Sequence, residues 1–320
     1  MSPPGRALRH GPSPVASVAE LVGSTPHVRL RRIGADLPGI RIYAKCEFMN
    51  PGGSVKDRPA LGMIEAALAD GRFGPTRTLV DSTSGNTGVA YAWICAALGL
   101  RCALVMPANV SATRKRITRA YGAELILSDP LEGSDGAIRK VRALVAADPD
   151  RWFYPDQYGN EENPRAHELG TAPEIAEALD GHVASFVAGI GTGGTVTGTS
   201  RGLRALTPGV RCWAVEPEEP LHGLEGLKHM ATSIVPPIYR EEELDGKLSI
   251  ATASGWAMAE RLGREEGLRV GHSAGAAVAG ALEIAQRMAA AGEAGNVVTV
   301  LPDRAERYLE PRRWDGRVTA

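Results

Sequence analysis

The chain has 320 residues, 43% of them hydrophobic and 23% charged, proportions that exclude a disordered polymer and supply enough apolar side chain for a sizeable core. Lysine and arginine number 36 against 37 aspartates and glutamates, so no basic surplus is available to follow a nucleic-acid backbone. No apolar run approaches the roughly 18 residues of a membrane span, and Cys46, Cys95, Cys102 and Cys212 show no Cys-x-x-Cys spacing that would signal zinc or a disulfide framework. Reduced thiols in a cytoplasm are the expectation.

Residues 1–17, rich in Pro, Gly and Arg, read as a solvated tail, and 311–320 as another. A helix is predicted over 59–69, followed by a strand at 78–81, a small-residue helix at 87–98 and a strand at 102–106. The cycle repeats with a helix at 112–121, a strand at 124–127, a helix at 133–147 and a short extended segment at 152–155. Gly159, Asn160, Asn163 and Pro164 then cluster as turn residues and mark a boundary. The second series is a strand at 182–188, a helix reaching 206, a strand at 210–215, helices at 254–266 and 274–291, and a strand at 296–301. Strands alternating with helices need crossovers, so the expected fold is α/β with two doubly wound open sheets. The expected division is a smaller, mobile substrate-binding lobe at 49–162 and a larger lobe at 18–48 plus 163–310. Ligands of such sheets bind where strand ends lead into helices. Those places here are 50–58, 83–88, 189–195 and 271–276.

Two of these segments match other chemistries. Residues 189–194, Gly-Ile-Gly-Thr-Gly-Gly, satisfy the dinucleotide fingerprint G-x-G-x-x-G, with Glu216 as the acid at the end of the next strand, which makes a NAD-dependent dehydrogenase a rival reading. Residues 271–275, Gly-His-Ser-Ala-Gly, match the serine-hydrolase elbow G-x-S-x-G. That fold orders its triad Ser, acid, His, and no histidine follows Ser273.

The other two segments decide the matter. Residues 50–58 read Asn-Pro-Gly-Gly-Ser-Val-Lys-Asp-Arg and place Lys56 at the start of a predicted helix. A lone lysine is ordinarily a solvated one. Beside a Pro-Gly-Gly turn and positive helix-end dipoles, however, its amine suits Schiff-base chemistry. Residues 83–87, Thr-Ser-Gly-Asn-Thr, offer backbone amides and hydroxyls at a helix mouth. Read singly, Thr83 or Ser84 could be a plain N-cap; read with Lys56, the loop is an anion receptor sized for a carboxylate. Gly191, Thr192, Gly193, Gly194 and Thr195 form a second one. One lysine with two anion receptors fits an amino-acid substrate and a phosphate-bearing aldehyde cofactor.

On these motifs the chain resembles the cysteine synthase and cystathionine β-synthase family, pyridoxal-phosphate enzymes of fold type II with a tryptophan-synthase-β-like architecture, from about Val22 to Tyr308. The resemblance implies pyridoxal 5'-phosphate held as a Schiff base on Lys56. Thr83, Ser84, Gly85, Asn86 and Thr87 would take the substrate carboxylate with Gln157, and Asn86 would also reach the ring hydroxyl. Gly191 to Thr195 would wrap the phosphate, and Ser273 would face the pyridine nitrogen. Lys56 would also act as the base at Cα. The implied reaction is β-replacement on O-acetylserine or O-phosphoserine by sulfide or another thiol donor, in a homodimer.

Asp303 and Arg304, in the 301–309 stretch, resemble B-type cysteine synthases. Cystathionine β-synthase, with homocysteine as nucleophile, is the alternative; serine or threonine dehydratase is more distant, its lysine lying in a Ser-Phe-Lys context. Lys228, His222 and His229, on the segment after Glu216, could meet a phosphate leaving group or form a solvated rim. His272 stands where the family usually has a small or aliphatic residue and reads as a wall histidine. The cysteines, in or beside core elements, read as inert.

Overall fold

The computed structural model describes residues 14–83 and 85–308, with the side chain of residue 134 outside that description. Most of both expected tails, and Ser84, therefore lie outside the described residues.

In chain order the elements are β1 (His27–Arg29), β2 (Ile40–Cys46), α1 (Asp57–Ala69), β3 (Thr78–Ser82), α2 (Asn86–Ala97), β4 (Arg101–Pro107), α3 (Ala112–Ala120), β5 (Glu124–Ser128), α4 (Gly133–Ala147) and β6 (Trp152–Phe153). There follow α5 (Glu162–Ala166), a π turn at His167–Thr171, α6 (Ala172–Ala178), β7 (Ser185–Gly189), α7 (Gly194–Leu206), β8 (Arg211–Pro217), β9 (Gly246–Ile250), α8 (Thr252–Glu266), α9 (His272–Ala290) and β10 (Gly295–Leu301). The predicted alternation holds. The strands β1, β2 and β9 and the helical stretch 162–178 are additions to it.

The chain divides into two compact units. The smaller comprises 50–163 with the stretch ending at Val22, and the larger comprises 23–49 and 164 onward. Residues 18–22, assigned on sequence to the larger lobe, belong to the smaller unit, because Ala19 and Val22 are buried in its core.

The smaller unit is an all-parallel sheet in the order β5-β4-β3-β6. Its strand residues alternate between two buried faces, as the pleat requires. Leu79, Leu104 and Met106 pack with Leu61 and Ile64 of α1 and with α2, where every residue from Val89 to Cys95 is buried. Val80, Ala103 and Val105 pack with Ala137 and Val141 of α4 and with Trp152. A helix apolar on all sides belongs at the centre of a unit, and α2 is there.

The larger unit has a six-stranded sheet in the order β1-β2-β10-β7-β8-β9, with β1 antiparallel to β2 and the remaining pairs parallel. Helix α9 supplies Ala274, Val278, Ala281, Ile284 and Ala285 to a core shared with Ile42, Val187, Val215 and Val297. Its approach needs glycines. A Cβ on Gly275 would lie 2.0 Å from the Gly255 carbonyl oxygen of α8, and one on Gly280 would lie 2.5 Å from Val215 Cγ2. No helix among the described residues is long and apolar enough to cross a membrane.

Candidate active site

In the smaller unit, the turn before α1 is fixed by Asp57. Its carboxylate accepts the Gly52 amide at 2.6 Å and the Trp93 indole N–H of α2 at 3.0 Å. A Cβ at Gly52 would sit 2.2 Å from the Trp93 indole nitrogen, so only glycine lets the backbone come this close, and Gly53 adopts φ +77°. Lys56 is half-buried at the N-cap of α1, its amide donating to Ser54 Oγ at 3.3 Å. The lysine thus leaves from a rigid base at the positive end of a 13-residue helix.

The loop between β3 and α2 is the second feature. Gly85 is the N-cap and makes no side-chain cap; Thr83 Oγ1 accepts the amides of Gly85 at 3.3 Å and Gly88 at 3.2 Å instead. Thr83 thus caps the helix from two residues before the N-cap, and it occupies only part of the helix mouth. A Cβ added at Gly85 would meet nothing within 4 Å, so the space over this loop is open. Thr87 Oγ1 donates to Gln157 Oε1 at 2.8 Å, both residues being buried. The main-chain carbonyl of Gln157 accepts from Asn163 Nδ2 at 2.7 Å, and the preceding Asp156 takes a left-handed turn at φ +51°. The smaller unit thus brings Thr83, Gly85, Asn86, Thr87 and Gln157 into one loop system.

In the larger unit, β7 runs into the 190–193 loop and then α7, whose N-cap Gly193 has φ +88° and no side-chain cap. A helix amino end whose cap residue offers no side-chain acceptor suits an anion. The loop is also crowded from outside. A Cβ at Gly191 would fall 2.4 Å from the Gly226 carbonyl oxygen, one at Gly193 2.6 Å from Tyr239 Cβ, and the Lys228 amide donates to the Ile190 carbonyl at 2.8 Å. Thr192 Oγ1 accepts the Gly194 amide at 3.3 Å. Thr195 Oγ1 pairs with Nε2 of fully buried His167 at 3.2 Å, and the other ring nitrogen pairs with Thr171 Oγ1 at 2.9 Å. His167 was missed by sequence reasoning. Its only signal is a Thr four residues on, within a π turn of the kind that accompanies functional positions.

Ser273 is buried in the first turn of α9. Beside it, His272 stacks between Trp256, with centroids 4.8 Å apart, and Tyr308, at 6.0 Å. Burial lowers the pKa of this imidazole, while Glu225 and Asp303 oppose the shift. Tyr308 donates a short hydrogen bond to Asp303, which is fully buried. His222 Nδ1 accepts the Leu224 amide and His229 Nδ1 pairs with Thr232 Oγ1, so both rings are engaged locally.

The dehydrogenase reading fails on Glu216. Its carboxylate is buried and bound to Lys247 at 3.2 Å and to the Met230 amide at 2.9 Å, which uses the group a dinucleotide ribose would need. All four cysteines are free and buried, and burial raises the Cys46 thiol to about 11, out of the range of a reactive thiolate.

Residues 18–303 match the family described as pyridoxal-phosphate dependent enzyme, and the chain belongs to that family. The cysteine synthase of Aquifex aeolicus is 46% identical over 295 residues, 92% of this chain and 90% of that protein. The crystal structure of a cysteine synthase from Entamoeba histolytica superimposes with a TM-score of 0.88 at 35% identity, covering 96% of this chain and 94% of that one. An O-acetylserine-dependent cystathionine β-synthase from Helicobacter pylori gives 0.84 at 36% identity, over 93% and 98%. The fold is thus that of fold type II pyridoxal-phosphate enzymes. The residues present fit the cofactor: an amine on a rigid turn for its aldehyde, and glycine amides at an uncapped helix end for its phosphate.

Proposed function

We propose that this chain is a cysteine synthase, catalysing replacement of the acyloxy group of an O-acylated L-serine by sulfide to give L-cysteine. One observation carries the reading. Within a single unit, a lysine heads one helix and an open amide-and-hydroxyl loop heads the next, with Asp57 and Trp93 joining the two helices.

The proposed roles follow from the chemistry. Lys56 would hold pyridoxal phosphate through its ε-amine, and the same amine, when free, would take the proton from Cα. Thr83, Ser84, Gly85, Asn86 and Thr87, with Gln157, receive the substrate carboxylate, and Asn86 also meets the cofactor. The amides of Gly191 to Thr195 hold the phosphate dianion. Ser273, buried in the first turn of α9, would offer a hydroxyl to the cofactor's ring nitrogen, a partner that does not require that nitrogen to stay protonated. The bound cofactor supplies the electron sink for negative charge at Cα. Acetate leaves the β-carbon, sulfide adds to the same carbon, and the proton returns to Cα. An 83–87 loop folded over the carboxylate keeps water from the β-carbon between those two events.

Four free, buried thiols support a reducing, cytoplasmic setting, and the family resemblance supports a homodimer. A second reading, homocysteine as nucleophile, is favoured by the likeness to the Helicobacter pylori enzyme. O-phosphoserine remains the second donor, with Lys228, whose amide donates to the Ile190 carbonyl beside the phosphate loop, the candidate cation for its leaving group.

The test is direct. Borohydride treatment of the purified protein is expected to fix a pyridoxyl mass on the peptide containing Lys56. Steady-state assays with O-acetylserine, O-phosphoserine and L-serine, each against sulfide, thiosulfate and homocysteine, are expected to give the highest kcat/KM for O-acetylserine and sulfide. An unmodified Lys56 peptide would overturn the proposal, and preference for homocysteine would replace it with the second reading.

A further inference from the structure

We infer that Asp81 is a positioning residue for the amino-acid substrate: from the end of β3 its buried carboxyl governs, through its charge, how well the 83–87 loop receives the substrate carboxylate. The inference rests on the reading of that loop as the carboxylate receptor.

The geometry lies wholly within the smaller unit. Asp81 is 1% exposed, and its Oδ1 accepts the amide of Ser82, the residue leading into the loop, at 2.7 Å. Its Oδ2 is buried, and so is the hydroxyl of Tyr91, one turn beyond Thr87 on α2, which favours the ionised form of the acid. A carboxyl and a phenol thus lie buried on the strand and the helix that the 83–87 loop joins. No strand packing explains an acid here, since Leu79 and Val80 before it are fully buried apolar residues.

The surroundings set its ionisation. Burial raises the Asp81 carboxyl to about 7; the amides of Ser82 and Gln157 and the Tyr91 phenol oppose this, and Asp156 adds to it. The facing groups are Tyr91 on α2, Cys102 on β4, and Tyr154, Asp156 and Tyr158 from the segment that carries Gln157. Asp135 and Arg142 of α4 act at one remove, on Tyr158 and Tyr154. No lysine or arginine is among the causes of the Asp81 shift itself.

An acid that changes charge near neutral pH has two effects on the receptor. The neutral form leaves the amide dipoles of Ser82 and Gln157 free of a full negative charge. The ionised form draws both amides and places that charge behind a site meant for another carboxylate. Substrate affinity therefore falls as pH rises through about 7, and substrate binding in turn favours protonated Asp81.

The probe is L-alanine, which has the amino and carboxylate groups but no leaving group, titrated into the holoenzyme and read by the cofactor's visible band between pH 6 and 8.5. The parent is expected to lose on the order of tenfold in affinity across that range, a coupling of ordinary size. Asp81→Asn is expected to keep its low-pH affinity throughout. Tyr91→Phe, which removes a group favouring the ionised acid, is expected to move the midpoint to higher pH. Asp81→Asn following the parent profile would overturn the inference, and so would a Tyr91→Phe midpoint that does not move. Thr87→Ala separates the two layers. If it binds L-alanine as the parent does, the receptor reading itself fails; if it loses affinity while Asp81→Asn tracks the parent, only the role of Asp81 fails.

Discussion

Thr87 donates its hydroxyl hydrogen to the side-chain oxygen of Gln157 at 2.8 Å, and this bond ties the head of α2 to the turn that follows β6. Because the Gln157 oxygen is occupied, its amide N–H groups are the part left to face a carboxylate. Losing either partner of a buried bond leaves the other unsatisfied, at about 1 to 3 kcal/mol. Thr87→Val and Gln157→Ala are each expected to raise KM for O-acetylserine about 5- to 100-fold with a smaller change in kcat. In the double variant the losses should not add, since both remove one interaction. Additive losses in steady-state kinetics would mean the two residues act separately.

Gly193 and Gly85 head comparable helices but are glycines for different reasons. At Gly193, φ is +88° and a Cβ would lie 2.6 Å from that of Tyr239. Gly193→Ala is expected to cost more than about 1 kcal/mol in urea unfolding and to weaken cofactor binding. At Gly85 the space is empty and φ is −107°, so Gly85→Ala should unfold like the parent. If the loop receives the substrate, that variant will nevertheless raise KM. Equal destabilisation by the two substitutions would contradict this assignment.

His167 spans Thr171 and Thr195 with its two ring nitrogens and has no exposed surface. Replacing it with Phe keeps much of the volume and removes both bonds. The expected result is a folded protein whose affinity for pyridoxal phosphate drops by roughly tenfold, the worth of about one buried hydrogen bond, measured by equilibrium dialysis. Thr195→Val in the same background should add little. A full further loss would place Thr195 outside the influence of His167.

How legible all this was depends on where each residue's partner lies. The alternation of strand and helix from residue 78 is local, and the observed elements follow it within a few residues. Strand β2 escaped because Arg41 and Lys45 break its apolar pattern. Lys45 is fully buried and paired with Glu174 of α6 at 2.6 Å, a partner no local window contains. The glycine loops were legible as loops, but not the second reason for their glycines, the close passage of Gly226 and Tyr239. His167 looked ordinary because its meaning resides in a hydroxyl on another helix. Asp81 announced itself faintly, as the single acid in Thr-Leu-Val-Asp-Ser, yet only its burial shows that it is not a surface carboxylate.

Asp81 also makes a prediction about stability that does not depend on substrate. Its carboxyl titrates near 7 in the folded chain against an ordinary value of 3.8, so folding favours the protonated form. The stabilisation tied to that proton is complete below the unfolded value and is lost as pH rises through the folded one, leaving the full cost of a buried, cation-free carboxylate above about pH 7. Asn at this position has the same shape and does not titrate. Asp81→Asn is therefore expected to gain on the parent between pH 5 and 7.5 and to hold a constant lead above that, on the order of 1 to 4 kcal/mol given 1.36 kcal/mol per pKa unit. Urea unfolding at pH 5, 7 and 8.5 reads the difference. A lead that stays the same at all three pH values would show that Asp81 does not change charge on folding, and would leave the pH dependence of substrate binding without its cause.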